Sequence, residues 1–150
     1  MKKIKTTSNL ETIELGVKIG NIVKETKAII LLKGDLASGK TTLTKGIAKG
    51  LGINEIIKSP TFTIMKEYQI NESKTLYHLD LYRLNEIGFD FDLEEYIYNE
   101  NSIVVIEWPT QVLELLPEEY LLVNLSGNQD ERNIIISGVG EKYEKLVSLL

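Results

Sequence analysis

The chain contains no cysteine, so it carries no disulfide framework, no thiolate zinc site and no cysteine nucleophile. It has one histidine, His78, which leaves a histidine-based metal centre without ligands. No apolar run approaches a membrane span, and the first residues lack the apolar stretch of a secretory signal. The expectation is therefore a cytoplasmic protein with no membrane role. Positive charge is also short. The net charge is −5 at pH 7, and a polyanion binder, DNA-binding proteins included, needs clustered cations to neutralise phosphates. Only Arg83 and Arg132 are arginines, against fifteen lysines. A guanidinium fork is hard to replace at a phosphate or carboxylate, so both positions are marked. Lysines do gather at Met1-Lys2-Lys3-Ile4-Lys5, read as a solvated strand end, and around Lys40, Lys45 and Lys49. Repeats, low-complexity linkers and domain boundaries are all missing, and residues 1–150 read as one domain.

Against these absences stands one sharp motif. Gly34-Asp35-Leu36-Ala37-Ser38-Gly39-Lys40-Thr41 matches the phosphate-loop pattern G-x-x-x-x-G-K-[ST] at every fixed position. Apolar Ala28-Ile29-Ile30-Leu31-Leu32 precedes it as a buried strand should, and Thr42 to Leu51 continue it with helix-forming residues. Glycines let the backbone turn tightly and aim successive N–H groups at a phosphate chain. The helix that follows adds its free N–H groups and positive dipole end. Lys40 is placed to reach the β- and γ-phosphates, and the Thr41 hydroxyl to ligate Mg²⁺. A Gly-rich strand-to-helix turn without ligand is the plainer alternative. Asp35, acidic beside a polyanion, is assigned to loop backbone or water.

Along the chain, residues 2–6 predict a short strand. Ser8 with Glu11 three residues later forms a capping-box signal for a helix reaching about Thr26. Strand 28–33, the loop and helix 40–51 follow, with Gly50 and Gly52 as stop signals. Strands 63–70 and 75–82 predict a hairpin through Asn71-Glu72-Ser73-Lys74. Acidic residues from Glu86 to Glu100 predict one or two short helices, read as a solvated face in preference to a docking face. Ile103-Val104-Val105-Ile106-Glu107 is a second buried strand, broken by Pro109. A short helical piece (110–115), strands 120–126 and 132–137, and a closing helix 141–150 complete the chain. Strands 28–33 and 103–107, flanked by helices, predict parallel neighbours covered on both faces. The two hairpins add antiparallel strands. The fold expected is α/β: a phosphate-loop NTPase-like three-layer domain with a mixed, partly parallel central sheet.

A phosphate-loop site takes its magnesium carboxylate from the C-terminal end of a neighbouring strand. Ile103–Ile106 leads into Glu107, and Leu76-Tyr77-His78-Leu79 leads into Asp80. Either carboxylate can hold the metal directly, hold it through water, or orient an attacking water. Ser59-Pro60-Thr61-Phe62-Thr63 reads equally as a nucleotide-sensing switch or as a turn set by Pro60. His78 shares a strand face with Asp80 and is read as core. Trp108 is read first as packing, and Arg132 as an exposed cation.

Four separated motifs coincide in one family: the loop 34–42, Ser59-Pro60-Thr61-Phe62, Tyr77-His78-Leu79-Asp80-Leu81-Tyr82-Arg83-Leu84, and Val105-Ile106-Glu107-Trp108-Pro109. In this order and spacing the chain resembles the bacterial TsaE (YjeE) family over essentially its whole length. That resemblance implies Mg²⁺-dependent ATP binding with weak hydrolysis. It implies partnership with TsaB and TsaD, which transfer threonylcarbamoyl to the tRNA adenosine beside the anticodon, so that tRNA is met only through the complex. Carried over by motif, Lys40 and backbone 36–42 (Leu36, Ala37, Ser38, Gly39, Lys40, Thr41 and Thr42) hold phosphates. Thr41 and Glu107 ligate magnesium, Asp80 joins the same metal and water network, Ser59 to Phe62 form a first switch, and Trp108 lies in a second. Asn9 and Arg132 are implied as further nucleotide contacts. The family usually has Gly-Ala where this chain has Ala37-Ser38, so a positive φ at 37 would store about 1 kcal/mol of strain. Three other readings stand beside this one. A small-molecule kinase usually needs an arginine-rich lid, a GTPase needs an N-K-x-D signal that does not occur, and a passive ATP-sensing module needs neither.

Overall fold

The computed structural model describes residues 1–60, 63–83, 93–128 and 130–150. Its centre is a seven-stranded sheet in the order β1-β7-β6-β2-β5-β4-β3. The strands are β1 (Lys2–Thr6), β2 (Ala28–Lys33), β3 (Met65–Asn71), β4 (Lys74–Asp80), β5 (Ser102–Glu107), β6 (Tyr120–Gly127) and β7 (Arg132–Val139). The helices are α1 (Asn9–Val23), α2 (Lys40–Gly50), the short α3 (Leu93–Ile97) and α4 (Glu141–Ser148), with a 3₁₀ segment at Pro109–Leu115. β4, β5, β2 and β6 run parallel, and β3, β7 and β1 join antiparallel. The expected mixed sheet is therefore present. Each hairpin contributes one strand to its parallel centre.

The reason lies in the apolar runs. Every residue of β5 is buried, as are the first five of β2, which requires cover on both faces. Ile30, Leu32, Ile103 and Val105 point into a cluster with Leu15 and Ile19 of α1 and Leu43 and Ile47 of α2. Ile29, Leu31, Val104 and Ile106 point the other way, to Leu79, Leu81 and Ile97, with Trp108, Leu115 and Leu116 at the margin. Each such aliphatic side chain contributes about 1.5–3 kcal/mol on burial.

Helix α1 begins where its cap signal lies: the Ser8 hydroxyl accepts the Glu11 N–H at 3.1 Å. The Glu11 carboxylate reaches one residue further back than in a standard capping box, to the Thr7 N–H at 2.6 Å and its hydroxyl at 2.5 Å. Those bonds hold its pKa below the ordinary glutamate value. Other expected bounds shift by a few residues. β4 ends at Asp80 rather than 82, and α4 at Ser148. The 71–74 turn tightens so that Asn71 and Lys74 pair across it. Of the acidic stretch 86–100, the described part contains α3, and residues 86–92 lie outside the described residues.

Gly50 corrects its assignment as a stop signal. Gly52, at φ +89°, is the left-handed residue beyond the helix, whereas Gly50 is the last residue within α2. It belongs to a seam in which Gly16 and Gly20 of α1 face Gly46 and Gly50 of α2. A methyl group on any of the four would collide with a backbone carbonyl of the opposite helix, at Leu43, Ile47, Ile13 and Val17 respectively. Glycine spacing of four on both helices brings the two backbones into contact and locks α1 against the helix that carries the loop.

Candidate functional site

Three parallel strands deliver the site to one edge of the sheet. In register, Leu32 of β2 and Asp80 of β4 both lie beside Glu107 of β5. The loop that leaves β2 therefore emerges next to two strand-terminal carboxylates, where open α/β sheets place ligands. Leu76, Ile103 and Val105 face α1 and α2. Side chains two apart on a strand share a face, so His78, Asp80 and Glu107 continue that face outward.

Gly39, at φ +108°, precedes α2 and offers no side-chain cap. The first helical bond joins the Leu43 N–H to the Gly39 carbonyl at 2.8 Å. The N–H groups of Lys40, Thr41 and Thr42 come before it and have no partner within the helix. These three residues line a cleft of about 430 Å³, together with Leu36, Ala37 and Gly39 on the loop side. Across from them lie Asn9, Ser59, Asp80, Glu107, Trp108 and Arg132.

Lys40 is 5 % exposed. Its ammonium donates to the Gly34 carbonyl at 2.6 Å and the Asp35 carbonyl at 2.8 Å. It also lies 4.4 Å from the centre of the Trp108 ring. Burial lowers its pKa, against the opposing pull of Glu107, Asp80 and Asp35. The Trp108 ring in turn packs on Tyr82 at 4.7 Å.

Both carboxylates are nearly buried, Glu107 at 3 % and Asp80 at 4 % exposure. Asp80 Oδ1 accepts the Tyr82 N–H at 3.0 Å. Glu107 Oε2 lies 2.5 Å from His78 Nε2; a carboxylate only accepts, so Nε2 carries the hydrogen. With the Thr41 hydroxyl in the same cleft, the site presents hard oxygen donors of the kind magnesium takes together with water and phosphate oxygens. The residues fit that ion.

Arg132 corrects its assignment as an exposed cation. It opens β7 beside Thr6 of β1, is 4 % exposed, and donates from Nη1 to the Thr12 hydroxyl at 3.2 Å. Thr12 is bonded in turn to Thr6 at 2.8 Å. The Arg132 side chain lies against Gly39, where a methyl would fall 2.6 Å from Nε. Ala37 has φ +63°, so the alanine at this position does lie in the left-handed region. The Ser38 side chain is buried at 2 % exposure and is not among the cleft-lining residues. It lies against Gly34, and its N–H donates to the Asp35 carbonyl at 3.1 Å. Pro60 is buried, its carbonyl accepts the N–H groups of Thr63 and Ile64, and Ser59 before it lines the cleft. Thr61 and Phe62 lie outside the described residues.

His78, read as core from the sequence, is fully buried but also bonds a carboxylate of the cleft. Its alternation with Asp80 was visible, but the neighbour that makes it polar is on β5, which only the strand register supplies.

The loop between β2 and α2, the parallel strand ends and the mixed sheet define a phosphate-loop NTPase-like α/β protein. A family model described as threonylcarbamoyl adenosine biosynthesis protein TsaE matches residues 6–134. The tRNA threonylcarbamoyladenosine biosynthesis protein TsaE of Bacillus subtilis is 40 % identical over 148 residues, 97 % of this chain and 92 % of that protein. The protein of the same name from Haemophilus influenzae is 43 % identical over 113 residues, 73 % of this chain and 70 % of its own length. The crystal structure of Bacillus subtilis YdiB superposes with a TM-score of 0.79 at 36 % identity, covering 98 % of this chain and 91 % of that one. The chain belongs to the TsaE family. Among the described residues no helix is long and apolar enough to cross a membrane.

Proposed function

We propose that this protein binds Mg·ATP in the strand-end cleft and hydrolyses it slowly, as the ATPase of tRNA threonylcarbamoyladenosine biosynthesis, with TsaB and TsaD as partners. One observation supports this above all: an uncapped helix N-terminus, a buried lysine and two buried carboxylates converge on a single cleft. The N–H groups of residues 40–42 are the donors for phosphate oxygens. Lys40 donates to the Gly34 and Asp35 carbonyls, and a phosphate oxygen is a stronger acceptor for the same ammonium. Thr41, Glu107 and Asp80 are the groups that would hold magnesium, which supplies neutralisation of charge on the phosphates. Asp80 or Glu107 would be the group that orients the attacking water. Arg132, already packed against Gly39, lies where a second cation meets the nucleotide. Trp108 covers Lys40, so a nucleotide that engages this ammonium also changes the packing of the ring.

The test is ATP hydrolysis by the purified chain with and without TsaB and TsaD, alongside a phosphorylation screen of small-molecule acceptors. Stimulation by the two proteins is expected, with no acceptor phosphorylated. Turnover indifferent to both, with a small acceptor phosphorylated, overturns the reading in favour of a kinase.

A further inference from the structure

His78 is buried completely, and on its face of β4 it stands between the core residue Leu76 and the carboxylate Asp80. Burying an imidazole there is unfavourable unless its nitrogens are bonded. Only one of them is. Nε2 donates to Glu107 Oε2 at 2.5 Å, and Nδ1 has no hydrogen-bond partner among the described residues. A residue kept for packing alone would be better replaced by leucine, and one kept for a polar network would have both nitrogens engaged. The contact retained is the one to the carboxylate.

The parallel register explains the reach. His78 pairs with Val105 and Asp80 with Glu107, so the imidazole spans diagonally from the middle of β4 to the last residue of β5. Glu107 has three rotatable side-chain bonds, and pinning Oε2 leaves Oε1 as the oxygen available to a ligand. We propose that His78 is a positioning residue: its Nε2–H orients the Glu107 carboxylate for the divalent cation that accompanies the nucleotide. This rests on the Mg·ATP reading above. Outer partners of metal-binding groups act this way by fixing orientation before the ion arrives.

The amide nitrogen of glutamine can overlay Nε2, and that of asparagine overlays Nδ1. The experiment therefore compares His78→Gln, His78→Asn and His78→Leu in the full chain. Binding of Mn²⁺ is titrated by electron paramagnetic resonance with a non-hydrolysable ATP analogue present. Affinity for the same analogue is measured in chelator, and melting temperature is recorded. Weakening of Mn²⁺ binding by about 10- to 100-fold is expected in the Leu and Asn variants, with Gln within about threefold of the parent. Analogue affinity in chelator should stay unchanged in all three. Equal Mn²⁺ binding in the Gln and Asn variants overturns the proposal, and that contrast decides even if the Leu variant fails to fold. A parent protein that binds the analogue no better with Mn²⁺ than without overturns the Mg·ATP reading itself, a result visible before any variant is made.

Discussion

The seam between α1 and α2 and the cleft at the strand ends share one helix, yet they are built in opposite ways. In the seam, glycine meets carbonyl on both sides, with room for no added atom. Around the cleft, polar groups are left short of partners. Among the described residues the three buried side-chain atoms without a hydrogen bond are Ser38 Oγ, His78 Nδ1 and Arg132 Nε, and all belong to the loop or its surroundings. Among the described residues three non-glycines have positive φ, and Ala37 and Trp108 line the cleft while Ile64 lies behind it. Ile64 is tied to the site through its carbonyl, which accepts the Asp80 N–H at 2.8 Å. Each such residue stores about 1 kcal/mol or more, and each unsatisfied buried polar atom costs about 1–3 kcal/mol. Stability is thus concentrated in the seam and surrendered in the cleft.

The comparison can be broken in either region. The largest effect is expected from Lys40→Ala, which removes the cation that no other loop residue supplies. Mg·ATP affinity should fall by about 100-fold or more, and calorimetry returning the parent affinity contradicts its role. Gly46→Ala attacks the seam instead. Its methyl overlaps the Ile13 carbonyl, so about 3 kcal/mol of stability should be lost in denaturant unfolding. Gly52→Ala, where nothing lies within 4 Å but φ is +89°, should cost only the backbone strain of about 1–2 kcal/mol, and a Gly46→Ala loss no larger than that would show that the helices are not in fixed contact.

Glu107→Gln separates the two regions. The amide oxygen can still accept from His78, while the charge is gone. Hydrolysis should drop by about 100-fold with a melting temperature close to the parent. If the variant simply unfolds, Glu107 is structural. The smallest effect belongs to Ala37→Gly. Relief of the left-handed alanine is offset by the greater freedom of glycine in the unfolded chain, leaving a net gain of about 0.5 kcal/mol. Thermal unfolding of the two proteins side by side reads it.

Much of this was legible in residue order. The loop motif, the Ser8 cap, the apolar runs 28–32 and 103–106 and the carboxylates that end two strands are local patterns. Local sterics, capping and alternation act over a few residues, so a linear reading reaches them. The glycines of the seam were harder. G-x-x-x-G occurs in each helix, but Gly50 read as a terminator because nothing local says that a second helix lies against it. Arg132 read as exposed for the same reason. Its burial depends on Thr12 and Gly39, both more than ninety positions away in the chain.

By itself the sequence determined that a phosphate-type loop joins a buried strand to a helix, and that acidic groups end two other strands. Only the tertiary structure decided that those ends meet. It set β2, β5 and β4 side by side and turned His78 from a core residue into the partner of Glu107. It also placed Ala37 in a left-handed conformation and slid Arg132 beneath the loop. The physical reason is one of range. Backbone preference and side-chain periodicity are properties of neighbours in the chain. Strand register and interhelical distance instead emerge from packing the whole sheet against its helices.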